Sequence, residues 1–176
     1  MVGAERPDGV RVVEPGTPLR RLVETRVGRG IPGRVEKPCG VTAAEPRTAA
    51  TAAEAAGVPL QVAYWRRYVP VLQELRDRIL SGELGEIHHV LSSQWDEAPP
   101  PAGFRQNSGG IFVDMGVHEF DQVRWLTDQE FVHLTAPGPP PDVISAAVCD
   151  SARAQRVALE PGGRRASVAV GLAHPP

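Results

Sequence analysis

Proline and glycine decide where this chain can hold regular structure. Its 176 residues include 18 of each, and proline stands above the usual share of about 5%. Proline has no backbone N–H to give to a ladder or a helix, so dense clusters of it mark loops and linkers. The clusters fall in the first 40 residues, at Pro99–Pro101, at Pro137–Pro141 and at Pro175–Pro176. Between them lie two windows with readable patterning, one from Val35 to Trp95 and one from Ser108 to Thr127. A third, weaker window follows Asp150.

Residues 1–34 read as irregular, with Val10–Val13 as a short strand and Leu19–Val27 as a short helix. From Val35 the signals sharpen. Thr42 and Glu45 have the spacing of a capping box ahead of an alanine-rich helix that Gly57 and Pro59 close. Pro46 falls in the first turn, where it costs least. Leu60–Tyr64 reads as a buried strand. A second helix is expected over Val69–Leu80, with Leu72, Leu75 and Ile79 on one face and Gly82 at its C-terminal end. Glu86–Trp95 alternates as a strand does, and Asp114–Thr127 reads as a third helix. Gln155–Glu160 and Arg165–Leu172 alternate around Pro161-Gly162-Gly163, the signature of a β-hairpin. This order predicts the end of a β/α unit running into an α+β domain with a mixed or antiparallel sheet.

Composition removes several function classes. A net charge of −2 gives no broad basic face for nucleic acid. No apolar run approaches the roughly 20 residues that span a bilayer, and the acidic start MVGAERPDGV has no apolar core of a secretory signal. Cys39 and Cys149 are too few and too distant for a disulfide framework or a zinc site. A reducing cytoplasm is the expected compartment.

Gly28-Arg29-Gly30-Ile31-Pro32-Gly33 satisfies the letters of G-x-G-x-x-G. That fingerprint binds a pyrophosphate because a strand delivers the chain to a tight turn and a helix N-terminus follows. Here no strong strand pattern precedes the glycines, and Arg34-Val35-Glu36-Lys37-Pro38 does not open a long helix. The reading is a loop.

Chemistry concentrates in three segments: Glu36-Lys37-Pro38, Arg66-Arg67-Tyr68, and Ser108 through Asp121. In the last, Asp114, His118 and Asp121 recur at helical spacing and would share one face. A carboxylate beside an imidazole fixes its orientation and raises its basicity, as a general base requires. Gly109 and Gly110 just before would allow close approach to the backbone. Two alternatives stand beside this reading. Such a pair is often only a solvated helix face or a cap, and His with carboxylates is also a metal-ligand set, although H-E-x-x-H is absent. Our expectation for metal is none.

The order and spacing of these segments resemble the running pattern of the Gfo/Idh/MocA family of oxidoreductases. The residues that carry the likeness are Val35-Glu-Lys-Pro38, Gln61-Val-Ala-Tyr-Trp-Arg-Arg-Tyr68, Ser81-Gly-Glu-Leu-Gly-Glu86 and Ser108-Gly-Gly-Ile-Phe-Val-Asp-Met-Gly-Val-His-Glu-Phe-Asp121. The wording of the last is most similar to inositol 2-dehydrogenases. The resemblance runs from about Val35 to Pro137 and resumes at Asp150–Leu172.

This resemblance implies the remnant of a Rossmann domain followed by part of a C-terminal substrate and oligomerisation domain. The implied divisions are 1–34, 35–65 and 66–176. It implies oxidation of a sugar or cyclitol hydroxyl with NAD or NADP. Lys37, Asp114 and His118 match the family's catalytic positions, with His118 as proton acceptor and Lys37 beside the nicotinamide ribose and the reacting hydroxyl. Glu36, Lys37 and Pro38 match the cofactor-side loop. Arg67 matches an arginine lining the cleft, with Asp121 and Tyr64 as supports. The C-terminal sheet implies a homo-oligomer contact. Residues 1–35 do not resemble the family's glycine-rich loop or acidic ribose clamp, so the expectation is a truncated form that keeps the acid/base half of the site. The alternative is a catalytically inactive fragment serving as an oligomerisation module.

Overall fold

A computed structural model describes residues 9–12, 27–96, 108–134, 151–159 and 164–172. They divide into two units, Met1–Ala63 and Tyr64–Pro176. The expected α/β beginning and mixed-sheet continuation are both present.

In the first unit, strands β1 (Val10–Val12), β2 (Gly33–Val35) and β3 (Leu60–Val62) form a parallel sheet in that order. Gly33 pairs with Val10 on one side and Leu60 on the other. Residues 1–34, expected to be irregular, thus supply β1 and the start of β2. β1 falls within the short strand expected at Val10–Val13, whereas β2 carries too little alternation to be read from sequence and is defined by its neighbours in the sheet. The expected helix over Leu19–Val27 lies almost wholly outside the described residues; Val27 itself opens a 3₁₀ turn, Val27–Arg29. The expected strand Leu60–Tyr64 ends earlier, at Val62, and its side chains are half-buried or exposed.

Helix α1 (Ala44–Ala55) connects β2 to β3. Its buried Ala49 and Ala53 are four residues apart, and their small side chains form the stripe turned to the core. Val35, Cys39 and Ala49 form that core, with Ala52, Leu60 and Val62 against it. Half of the expected capping box is made. The Glu45 carboxylate accepts the N–H groups of Val41 (2.7 Å) and Thr42 (3.1 Å). The N-cap position, however, is Ala43 rather than Thr42, and it makes no side-chain cap. At the other end Gly57 (φ 64°) closes the helix as expected. Its N–H reaches the Glu54 carbonyl at 3.0 Å and that of Val58 reaches Ala53 at 3.1 Å, the paired bonds of a Schellman motif.

The second unit opens on a 3₁₀ turn, Trp65–Tyr68, followed by helix α2 (Pro70–Leu80). Pro70 occupies the first turn, where its missing N–H costs nothing, and Gly82 (φ 78°) follows the last turn. Strand β4 (His89–Asp96) follows, then a π-helical segment, Phe112–Gly116, that runs into helix α3 (Val117–Thr127). The continuous helix expected from Asp114 therefore begins as a π turn. Its entrance is Gly110, whose carbonyl accepts from both Val113 (3.1 Å) and Asp114 (2.9 Å).

Strands β5 (Phe131–Leu134), β6 (Ser151–Leu159) and β7 (Arg164–Leu172) complete a four-stranded sheet of order β4-β7-β6-β5. β6 and β7 are antiparallel, as the hairpin pattern predicts, and β6 starts earlier than expected; the expected Pro161–Gly163 turn lies outside the described residues. β4 and β7 run parallel, which makes the sheet mixed. α3 packs on this sheet through Val123, fully buried with Val90 and Phe131 against it. Burying such a side chain contributes roughly 1.5–3 kcal/mol. Arg76 ties α2 to α3, its guanidinium carbon 5.5 Å from the Trp125 ring and its Nε donating to the Trp125 carbonyl at 2.8 Å. Among the described residues no helix is long and apolar enough to cross a membrane.

Two stability measurements follow from the caps of α1. A Cβ at Gly57 meets nothing within 4 Å, so Gly57→Ala should cost only the left-handed backbone penalty, about 1–2 kcal/mol, read as a lower urea midpoint with unchanged m-value. The N–H groups of Thr42 and Val41 hold the Glu45 carboxyl below its ordinary range, which lies near 4.3. The unfolded chain takes up the proton first, so this contribution is complete above that range and is lost as pH falls through the folded value. Glu45→Gln should therefore flatten the fall in urea midpoint below about pH 5; parallel profiles would refute it.

Candidate active site

Two consecutive arginines on the 3₁₀ turn organise the polar centre of the second unit. Both reach across to α3. Arg67 makes a two-pronged contact with Asp121, Nε to Oδ2 at 2.9 Å and Nη2 to Oδ1 at 2.5 Å. The Asp121 side chain is 6% exposed and that of Arg67 is 41% exposed. Hydrogen bonding to the Asp121 carboxylate pushes the Arg67 guanidinium above its already high ordinary value. The Tyr64 ring lies 5.8 Å from the Arg67 guanidinium carbon, within the range of a cation–π contact.

Arg66 points into the interior. Its Nη1 donates to Glu119 Oε1 at 2.6 Å and to Gln122 Oε1 at 3.0 Å, while Nη2 donates to Gln94 Oε1 on β4. Glu119 has no exposed surface. An uncompensated carboxylate there would be prohibitive, and only charge-assisted hydrogen bonds make the burial tolerable.

Trp65, the residue before Arg66, meets His118, the residue before Glu119. The ring centroids are 6.4 Å apart and the planes 71° from parallel, an edge-to-face contact. His118 is buried while Trp65 is more than half exposed. Three successive residues of the turn, Trp65, Arg66 and Arg67, therefore each meet a residue of the first turns of α3: His118, Glu119 and Asp121.

Asp114 is half-buried in the π turn. The simple i, i+4 stacking expected of Asp114 and His118 is thus altered, because a π turn lies between them and shifts the angular spacing. Segments of this kind often accompany functional sites.

Glu36, Lys37 and Pro38 belong to the first unit, in the loop that leaves the carboxyl end of β2. All three are half-buried, and the Lys37–Pro38 peptide is cis. The Glu36 carboxylate accepts from Arg11 at 2.9 Å. Ligands of open parallel sheets bind beyond the carboxyl ends of the strands, and this loop occupies such a place. The Gly28–Gly33 run does not have a pyrophosphate-binding arrangement. It forms a 3₁₀ turn and then enters β2, so its last glycine is a strand residue, and no helix N-terminus follows it directly. The expectation of a loop holds for its middle and fails at Gly33.

Sequence reasoning singled out Arg66 within Arg66-Arg67-Tyr68 without its partner, and it gave no part to Trp65, Glu119, Gln94 or Gln122. One signal was available. Glu119 lies on the same helical stripe as the buried Val123, Leu126 and Thr127, and a carboxylate on a core-facing stripe demands a buried cation. Among the described residues no group of three or more His, Cys, Asp or Glu side chains could hold a metal ion.

Comparison with known proteins puts these features in a family. The model of the GFO/IDH/MocA C-terminal domain matches residues 72–171. The rhizopine catabolism protein MocA of Rhizobium meliloti is 53% identical over 130 residues, which is 74% of this chain and 41% of that protein. The myo-inositol dehydrogenase Hyg17 of Streptomyces leeuwenhoekii is 37% identical over 131 residues, 74% of this chain and 40% of that protein. Among solved structures, scyllo-inositol dehydrogenase from Lactobacillus casei with bound NAD(H) and scyllo-inositol superposes with a TM-score of 0.77 at 26% identity. That match covers 94% of this chain and 51% of the other. The chain thus spans about 40% of the length of the curated relatives and about half of the solved one. The structural match covers 94% of this chain, where the two sequence matches cover 74%. With the C-terminal domain model matched over more than half of its residues, the chain belongs to the Gfo/Idh/MocA family.

Proposed function

We propose that this chain supplies substrate-side acid/base groups of an NAD- or NADP-dependent oxidoreductase acting on a hydroxyl of a sugar or cyclitol, inositol 2-dehydrogenase-like in specificity. The observation that carries this reading is the setting of His118. It is buried at the start of α3, in edge contact with Trp65, on a helix turn held by two arginine–carboxylate pairs. An imidazole held this rigidly suits proton transfer from a substrate hydroxyl. The names of the relatives support the substrate class, since two of them are inositol dehydrogenases.

In this reading His118 takes the hydroxyl proton on an imidazole nitrogen, and Asp114 orients the ring. Arg67 lines the cleft, with its guanidinium plane fixed by Asp121 and Tyr64. Lys37 provides a cation on the cofactor side, and Glu36 and Pro38 shape its loop. The nicotinamide cofactor, when bound, supplies hydride acceptance. Among the described residues, the Glu36–Pro38 loop is the part we assign to the nicotinamide end of that group, and the Gly28–Gly33 run lacks the helix N-terminus a pyrophosphate needs.

A second reading is a non-catalytic module that associates through its sheet. It draws support from β4, whose residues alternate strictly. Val90, Ser92 and Gln94 are buried or half-buried, while Leu91 and Trp95 are 69% and 55% exposed. Large apolar side chains in a row on an open sheet face are a recruiting surface.

Calorimetric titration with NADH and NADPH, followed by assays of inositol oxidation, separates the two readings. The dehydrogenase reading expects micromolar binding and turnover that His118→Ala lowers by about 10²–10⁴-fold without loss of fold; absent binding and turnover would refute it. The module reading expects a dimer or larger species by light scattering that the Leu91→Lys, Trp95→Glu double variant converts to monomer. A wild-type monomer at all concentrations would remove it.

A further inference from the structure

Trp65, Arg66 and Arg67 face His118, Glu119 and Asp121, but the three contacts differ in burial. Trp65 is 56% exposed and the Arg67 side chain 41% exposed, whereas the Arg66 side chain is 15% exposed and that of Glu119 not at all. The middle contact is therefore the one water does not screen. It is also the branched one. The Arg66 guanidinium gives one nitrogen to Glu119 and Gln122 on α3, and its other terminal nitrogen to Gln94 on β4. One planar group joins the 3₁₀ turn, the helix and the sheet.

This arrangement restrains position steeply. Sliding α3 against the turn would unpair a carboxylate that has no solvent to fall back on. What is held by that restraint is the pair of residues one step earlier on each element, Trp65 and His118, whose rings are in edge contact.

We propose that Arg66 and Glu119 are positioning residues that set the place and ring orientation of His118, acting through the register of the 3₁₀ turn against α3 and through Trp65. The proposal deepens the dehydrogenase reading and rests on it for its effect on turnover. Neither residue contacts the reacting atoms. Their role differs from that of Arg67 and Asp121, whose ion pair leaves the guanidinium partly exposed.

The test is Arg66→Lys, which keeps the charge and removes the planar fork, with Glu119→Gln as a milder companion that keeps an acceptor of the same shape. Circular dichroism establishes that each variant is folded. The first readout needs no activity: the nuclear Overhauser contact between the Trp65 indole and the His118 ring, with the ring-current shift of the His118 protons. We expect both to be present in the wild type and lost in Arg66→Lys, with Glu119→Gln retaining a weakened contact. The second readout is turnover of a cyclitol with cofactor. We expect kcat of Arg66→Lys to fall about 10²-fold, the cost of a displacement of about 1 Å at a reacting group, with KM changed by less than about twofold. A folded Arg66→Lys that keeps the Trp65–His118 contact overturns the positioning role. So does an active wild type whose kcat is unmoved by the substitution. An inactive wild type whose ring contact is lost in Arg66→Lys supports the restraint and overturns the dehydrogenase reading instead.

Discussion

A carboxylate with no exposed surface is one of the costliest groups a small unit can carry, and the second unit is built around one. Glu119 is made tolerable by Arg66, which reaches it at 2.6 Å while Gln122 and Gln94 take up other donors of the same guanidinium. An isosteric apolar pair would give comparable stability, so what the ion pair adds is directional. A guanidinium–carboxylate contact has one satisfactory geometry, whereas apolar surfaces slide over one another at little cost. The helix that bears His118 is therefore fixed along its axis and about it, and the packing of Val123 on Val90 and Phe131 proceeds within that frame.

The two halves of the polar centre play different parts. Inside, Arg66 and Glu119 are dry and mutually committed. Outside, Arg67 keeps part of its guanidinium in reach of solvent while Asp121 holds its plane. A cation that is oriented yet still accessible is suited to meet hydroxyl groups of a small polar molecule. The half-exposed indole of Trp65 lies over the Arg66 guanidinium, 5.9 Å from ring centroid to guanidinium carbon.

Local signals in the sequence were sufficient wherever local chemistry controls the outcome. Gly57 and Gly82 end their helices because each follows a last turn that needs a left-handed residue. The β6–β7 hairpin could be read from its alternation and its central Pro-Gly-Gly, and β4 from its alternation, although the face carrying Leu91 and Trp95 is the exposed one. What stayed hidden was set by distant partners. β2 is three residues long and exists by virtue of its neighbours. The π turn at Phe112–Gly116 breaks the 3.6-residue period on which the reading of Asp114 rested. Arg66 and Glu119 are 53 residues apart, and of that contact only the misplaced charge on an apolar stripe was visible beforehand. The resemblance to a family implied roles for Lys37, Asp114 and His118 and none for Arg66, because a contact between two distant side chains leaves no chemical motif of its own.

The parallel pairing of β4 with β7 has a consequence for how the second unit comes into being. β7 is an interior strand of the sheet, flanked by β4 on one side and β6 on the other, although it is the last of the four in sequence. During synthesis β4 leaves the ribosome long before the strand that covers its edge, and α3 is made before the sheet beneath it is complete. Until β7 arrives, β4 has an unsatisfied edge, and the loop that must close is long and entropically costly. The nascent chain therefore passes through an interval in which that edge is open to pairing with other chains.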